Sequence, residues 1–547
     1  MRFSILSILL FSGISVYCQD SLTIKDIPAA ERVIGLRFKP AERDSLFNNV
    51  QNDVKEYEKM RQFKLDNSVP LSTWQSPVLP GMQFNRKQDP VKWSIPFNIS
   101  LPKNKNELAF YSVPELASLI KNKKISSVEL TKFFIERLKK YQDTLQCVIS
   151  LTEEIAMREA AEADAEIAAG KYRGPLHGIP YGLKDLFAVK GTKTTWGAAP
   201  YKDQRVEADA FVFTKLKEAG AILIAKFTLG ALAMGDYWYG GRTKNPWNLK
   251  RGSSGSSAGS TAATIAGLVP FAIGTETLGS IISPATQCGA TGLRPTFGSI
   301  SRTGAMALSY SLDKIGPICR SAEDAAIVFY FIHGTDGKDQ AAVNMPFNYT
   351  GKADLSKMKI AYAKNYFESG DTLGNELKVL EVYKKLGAQL IPVDFPDSGV
   401  YNFNIIGPII SAECAAQFDE FTRSELDDMM TMQGKGEWPN QFRSARFIPA
   451  VEYINAYRHR YLLMQKVNAV LTQYDVFICP TWGGEQVRIT NLTGHPAVCF
   501  PTGYNKNKMP TNITLVGNLY SEATLLAIAK AYQDATDFNK QHPDFFK

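Results

Sequence analysis

The chain has 547 residues, 45% of them apolar and 21% charged, with 62 basic against 54 acidic side chains and a formal net charge of +8. This is the composition of a folded protein with a substantial core, and it excludes global disorder. No dense Lys/Arg block with interleaved aromatics occurs, so nucleic acid is not an expected partner.

Arg2 is followed by an apolar run, Phe3 to Val16, that ends at Tyr17-Cys18-Gln19. A short basic start, a short apolar run and a small residue before polar sequence describe an export signal. The run is short for a membrane span, and the competing readings are a buried N-terminal helix or a monotopic anchor. We expect residues 1–18 to be removed and the protein to be exported, periplasmic or secreted. Cys18 as a lipidated first residue is the other reading, but Ser15-Val16-Tyr17-Cys18 is a poor lipoprotein box.

Residues 19–106 read as a leader. Leu46, Val50, Val54 and Tyr57 stand at helical spacing within 40–66. Residues 68–106 hold several prolines and few long apolar runs, which predicts an extended strap lying on another part of the chain. The texture changes near 107, and 107–547 reads as the catalytic domain. Ser126-Ser127-Val128-Glu129 fits a capping box. Leu130, Phe133, Phe134, Leu138 and Tyr141 then fall on one helical face. Residues 153–169, rich in Ala and Glu, predict a further helix. Gly178-Ile179-Pro180 punctuates before Tyr181-Gly182-Leu183-Lys184-Asp185. Ala221–Ala225 reads as a short buried strand behind Gly220, and Leu268–Gly274 as another strand region. Such alternation predicts an α/β core.

Apart from Cys18 the cysteines are Cys147, Cys288, Cys319, Cys414, Cys479 and Cys499. An even count in an exported chain allows disulfides. Their scatter through apolar runs of a long chain favours buried free thiols. His177, His333, His459, His495 and His542 form no H-x-x-x-H pair, and no C-x-x-C occurs, so no metal or other cofactor is expected.

Residues 252–260 read G-S-S-G-S-S-A-G-S. A flexible linker would be flanked by polar, tolerant sequence. Here Asn245-Pro246-Trp247-Asn248-Leu249 precedes and the small-residue run Ala262–Gly267 follows, so close backbone approach and hydroxyl chemistry are the better reading. Gly255-Ser256-Ser257-Ala258-Gly259 also fits G-x-S-x-G, the nucleophile elbow of α/β-hydrolases, with Ser257 as nucleophile. That elbow needs a hydrophobic strand directly before it, and Lys250-Arg251-Gly252-Ser253-Ser254 is not one.

A third reading uses more of the chain. Residues 245–296, with G-I-P-Y-G-L-K-D at 178–185 upstream and Tyr474–Thr481 and N-L-T-G-H-P-A-V-C-F-P at 491–501 downstream, resemble the amidase signature family. The similarity spans roughly 107–345 well and 358–535 more loosely. It implies a large mixed central β-sheet covered by α-helices on both faces, with the 474–481 and 491–501 segments as strands. It also implies hydrolysis or transfer of amide groups through a Ser–cis-Ser–Lys triad. Lys184 takes the lysine position, Ser256 the bridging one and Ser280, 24 residues on, the nucleophile. A serine hydroxyl needs a base, and a lysine serves only when burial lowers its pKa from about 10.4. The resemblance implies that Ser256 relays the proton and that backbone N–H groups of Thr277, Leu278, Gly279 and Ser280 hold the oxyanion.

Three residues depart from the family's T-D-x-G-G-S-[IL]-R. Glu276 stands for Asp, Leu278 for Gly and Ile282 for Arg. The usual Asp/Arg pairing is therefore expected to be lost, and Leu278 to resist a positive φ. Asp185 reads equally as a structural partner or a catalyst. Tyr237-Trp238-Tyr239 reads as pocket or core, and Tyr401, Phe403, Glu413, Phe418 and Phe421 are expected to shape the acyl pocket. The main functional expectation is an exported amidase acting on a small-molecule amide without a stable membrane span. The alternatives are the glutaminase-type subunit of a tRNA-dependent amidotransferase, an esterase using Ser257, and a non-catalytic binding protein on the same scaffold.

Overall fold

Side chains alternate along β-strands, and this sorts the apolar residues onto two faces. In Val476–Pro480, Val476 and Ile478 enter one buried cluster and Phe477 and Cys479 the other. Val498 and Phe500 against Ala497 and Cys499 repeat the pattern. A sheet with two apolar faces has to be covered twice. Leu525–Ala529 and Ala322–Ile332 supply helical cover on the first face. Ile406, Ile409, Leu463 and Val467, from helices Ile406–Gln417 and Ala450–Leu471, cover the second.

The computed structural model describes residues 22–62, 66–69, 73, 75–368, 374–397 and 404–547. Residues 1–18, read above as an export signal and including Cys18, and Tyr401 and Phe403 lie outside them. Among the described residues the central sheet has eleven strands. In chain order they are β1 (Val148–Leu151), β2 (Pro180–Lys184), β3 (Ile222–Phe227), β4 (Phe271–Glu276), β5 (Thr291–Arg294), β6 (Lys314–Cys319), β7 (Ile360–Ala363), β8 (Leu390–Val393), β9 (Val476–Pro480), β10 (Ala497–Tyr504) and β11 (Pro510–Gly517). Their order across the sheet is β1-β3-β2-β4-β6-β5-β10-β11-β9-β7-β8. The sheet is mixed: β2 runs parallel to both β3 and β4, whereas β4, β6, β5 and β10 pair antiparallel.

The chain divides into two compact units, residues 1–65 and 66–547. In the first, helix Ile27–Ile34 ends at Gly35 with φ 71° and is followed by helix Pro40–Arg61. Arg43 grips Glu31 with two hydrogen bonds of 2.6 and 2.8 Å, and Leu46, Val50 and Val54 are half-buried. In the second, residues 75–104 contain neither helix nor strand. They lie on the sheet-bearing body, with Trp93 edge-on to Tyr330 and Phe84 edge-on to Tyr520.

Ser126 caps helix Ser127–Leu145 as the sequence predicts, in a capping box with Glu129. Two boundaries differ. The strand expected from Leu268 begins at Phe271, because Pro270 has no N–H to give to a ladder. Asn491–Thr493, expected as strand, closes helix Gln486–Thr493 before β10 begins. The six cysteines from Cys147 to Cys499 are free and buried. No described helix is long and apolar enough to cross a membrane.

Candidate active site

The parallel pairing of β2 between β3 and β4 buries every residue of Pro180–Lys184. Lys184 ends that strand with no solvent exposure. Its Nζ donates to Ser256 Oγ at 2.8 Å, Thr275 Oγ1 at 2.8 Å and Ser257 Oγ at 3.2 Å. Among the described residues it has no ion-pair partner. Burial therefore dominates and pulls its pKa from 10.5 to about 7, against the opposing pull of Asp313 and Glu276. An amine at that value is half neutral near pH 7.

The 252–257 segment is not a linker. Gly255 lies against the neighbouring chain so closely that a Cβ there would sit 1.8 Å from the Gly235 carbonyl oxygen. Ser254 is tied on both sides, by its N–H to Asp236 at 3.1 Å and by its hydroxyl to Ser283 at 2.7 Å. The Gly255–Ser256 peptide is cis, as the resemblance implies. Helix Ala258–Ile265 follows, and all eight of its residues are buried.

The three serines have different surroundings. Ser257 Oγ donates to Thr275 O and accepts from Thr275 N, both at 3.1 Å, so strand β4 holds it from above and below. Gly274 makes room for it, since a Cβ there would lie 2.6 Å from that hydroxyl. Among the described residues the partners of the Ser257 hydroxyl are Lys184 and Thr275, and neither is a histidine. His495, fully enclosed, is pushed down to about 3 by burial and by Arg294, and its Nδ1 meets Thr493. The elbow reading thus lacks its base. Ser256, 1% exposed, has Lys184 as its partner. Ser280 is 9% exposed and its carbonyl accepts from Ser257 N at 3.2 Å. No hydrogen bond among the described residues joins the Ser256 and Ser280 hydroxyls; of the two contacts the expected arrangement needs, the one between Lys184 and Ser256 is present.

The turn carrying Ser280 corrects the expectation about Glu276. With Ile282 in place of Arg, the sequence predicts that the pairing is lost. Instead Arg294 reaches across from β5 and bonds Glu276 Oε1 at 3.1 Å, with both side chains fully buried. Asn491 Nδ2 adds a bond at 2.8 Å to the same oxygen. Glu276 Oε2 accepts from Ile281 N at 2.9 Å and Ile282 N at 3.0 Å. Burial pushes this carboxyl up, but Arg294, the Ile282 N–H, Lys314 and Asn491 together hold it below the ordinary glutamate range. Glu276→Ala should cost on the order of 3–5 kcal/mol in a denaturant titration, because it strands a buried guanidinium and two N–H groups. A loss below about 1 kcal/mol would show that the pair is dispensable.

Leu278 needs no strained path. It is not among the residues with positive φ; Gly279, at φ 83°, takes that role. Beside the turn lies a cavity of about 330 Å³, bordered by Asn67, Leu186, Thr275, Thr277, Met306 and Asp313 among others. Among the described residues Asp185 bonds none of these serines. It pairs with buried Lys226 at 2.9 Å and accepts from Thr195 N and Oγ1, which is a structural role. Tyr237–Tyr239 and the expected acyl-pocket residues Glu413, Phe418 and Phe421 are not on that cavity's wall. Phe418 and Phe421 join an aromatic group with Trp196, Tyr201 and Phe442. Sequence reasoning missed Thr275 as a lysine partner, although it stands in the T-E-T run just before the turn, and Arg294 as the partner of Glu276.

The family model described as Amidase matches residues 129–491. A glutamyl-tRNA(Gln) amidotransferase subunit of Coxiella burnetii (strain Dugway 5J108-111) is 34% identical over 481 residues, covering 79% of this chain and 99% of that protein. The corresponding amidotransferase subunit from Geobacillus kaustophilus is 34% identical over 480 residues, with the same coverage. Among solved structures, native peptide amidase from Stenotrophomonas maltophilia superposes with a TM-score of 0.72 at 28% identity, over 80% of this chain and 99% of that one. The chain belongs to the amidase signature family, a family of enzymes acting on carbon–nitrogen bonds.

Proposed function

We propose that this protein cleaves a carboxylic amide through an acyl-enzyme on Ser280, with Lys184 as base and Ser256 as the relay between them. The observation that carries this reading is a buried lysine whose hydrogen-bond partners among the described residues are all hydroxyls. An ammonium has three protons to give, and three hydroxyls stand ready to accept them. When Lys184 is neutral, one hydroxyl has to turn and donate. Ser257 is not free to do so, because its proton goes to Thr275 O. The Ser256 and Thr275 hydroxyls remain; we assign the role to Ser256, which stands in the family's bridging position, and as it gives its proton to Lys184 it takes that of Ser280.

The Ser280 oxygen attacks the amide carbon, its proton passing through Ser256 to Lys184. The oxyanion faces N–H groups of the 277–280 turn. Collapse breaks the C–N bond, the proton returns to the leaving nitrogen, and ammonia or an amine departs. Water then repeats the sequence on the ester. Labelling with a broad fluorophosphonate followed by peptide mapping tests this reading: the adduct is expected on Ser280, and an adduct on Ser257 would overturn it. Ser257→Ala is expected to lose stability yet keep the Ser280 adduct.

The substrate has two readings. Amidotransferase subunits are 34% identical over 79% of this chain, which supports glutamine as the amide, with its ammonia passed to a partner subunit. Peptide amidase among the structural relatives supports a peptide or small acyl amide hydrolysed to water. The export signal read in residues 1–18 favours the second, since aminoacyl-tRNA is intracellular. Ammonia release by the isolated chain from L-glutamine and from short peptide amides separates them. Turnover of peptide amides without a partner favours the amidase. Release from glutamine alone, rising when amidotransferase partner subunits are added, favours the transferase.

A further inference from the structure

The Ser280 turn is held at its far end by Glu276, through Ile281 N and Ile282 N. Its near end depends on something else. Strands β4 and β6 pair antiparallel, and their last matched residues are Glu276 and Lys314. One step beyond, Thr277 and Asp313 have left the ladder. Here side chains replace it: Thr277 Oγ1 donates to Asp313 Oδ1 at 2.6 Å. Asp313 Oδ2 is itself anchored, accepting from Leu308 N at 2.8 Å and Ser309 N at 2.9 Å. Both residues border the cavity that also meets Thr275. Between the two tethers lies Gly279, which has no Cβ to hold its left-handed φ of 83°. Without the Thr277 bond the turn is held from the Gly279 and Ser280 carbonyls onward, which accept from Ser283 N and Ser257 N, and by Glu276 at Ile281 and Ile282; the Thr277 and Leu278 N–H groups ahead of the glycine swivel would lose their aim, and aimed donors are what oxyanion stabilisation requires.

We propose that Asp313 is a positioning residue that fixes the entry of the 277–280 turn through the Thr277 hydroxyl, so that its N–H groups keep their aim while Ser280 is acylated. This rests on the reading of Ser280 as nucleophile. Asp313 acts on the turn through Thr277 and, among the described residues, has no hydrogen bond to Lys184, Ser256 or Ser280; its charge also pulls on Lys184, an effect that Thr277→Val leaves in place.

The test uses the full chain with near-isosteric variants Asp313→Asn and Thr277→Val and their double variant. Hydrogen exchange of a peptide spanning 277–282 reads the turn directly and needs no substrate. The rate of fluorophosphonate capture at Ser280 reads its consequence. Each single variant is expected to exchange several-fold faster there and to be labelled about 10–100-fold more slowly. The double variant is expected to be no slower than the slower single, because both remove one bond. Wild-type exchange and labelling in Asp313→Asn, or independent losses that multiply in the double variant, would overturn the proposal. Wild-type protein that labels elsewhere than Ser280 would overturn the catalytic reading instead, while faster exchange in the variants would still establish the tether. If Asp313→Asn does not fold, Thr277→Val carries the test, since it leaves the Leu308 and Ser309 bonds in place.

Discussion

Ser280→Ala is expected to abolish fluorophosphonate labelling and to lower amide turnover by about 10⁴-fold or more, with the unfolding midpoint unchanged. Ser280 keeps 9% of its surface open, and its hydroxyl has no hydrogen-bond partner among the described residues. Removing it disturbs no packing or bonding network. Ser257 is the opposite case, with no exposure and three bonds to its hydroxyl. Its loss unties the 252–257 segment from β4, so the penalty falls on stability. A Ser280→Ala protein that still turns over an amide at a tenth of the wild-type rate would remove the acyl-enzyme from the mechanism.

Lys184→Met is expected to lower turnover by roughly 10²–10⁴-fold and to erase a rise of rate with pH centred near the lysine's value of about 7. The base is the neutral amine, so wild-type activity climbs as pH passes upward through that value and levels off above it. A flat wild-type profile from pH 5 to about 9 would count against a lysine base. Stability runs with a definite sign as well. The folded pKa of about 7 lies below the ordinary 10.5, so folding disfavours the protonated amine. The cost is fully present below pH 7 and fades as pH rises from 7 toward 10.5, where the unfolded chain still binds the proton and the folded one does not. The methionine variant should therefore melt at or above the wild type at about pH 6, with its advantage shrinking at about pH 9. A variant that melts lower at the acid end would mean that the three hydroxyl bonds outweigh desolvation.

The parts of this protein legible in the sequence are those written within a few residues of one another. The Ser126/Glu129 capping box, the helix it opens, and the buried runs that form β2, β3 and most of β4 follow from local periodicity and local hydrogen bonding. Where two local signals compete, the boundary shifts. Pro270 delays β4, and the residues after Gln486 complete a helix before the chain turns into a strand. The placement of Lys184, Ser256 and Ser280 is legible for another reason: three motifs in fixed order carry it.

What lies beyond the sequence is every pairing that depends on which strands become neighbours. Arg294 sits 18 residues past Glu276, and Asn491 sits 215 past it, yet all three meet because β5 lies between β6 and β10. A motif that expects its arginine at position 282 cannot show that another strand supplies one. Asp313 meets Thr277 because β4 and β6 end in register, and Thr275 meets Lys184 because β2 and β4 run side by side. The depressed lysine belongs to the same class, since desolvation comes from the atoms that surround Nζ and not from the residues beside it in the chain. The sequence by itself determined the family and the α/β alternation, and it singled out Lys184, Ser256 and Ser280 as the candidates. The tertiary structure decided which acids hold the 277–280 turn, which serine is locked against β4 and which has Lys184 as its partner, because those depend on contacts made only when the sheet closes around them.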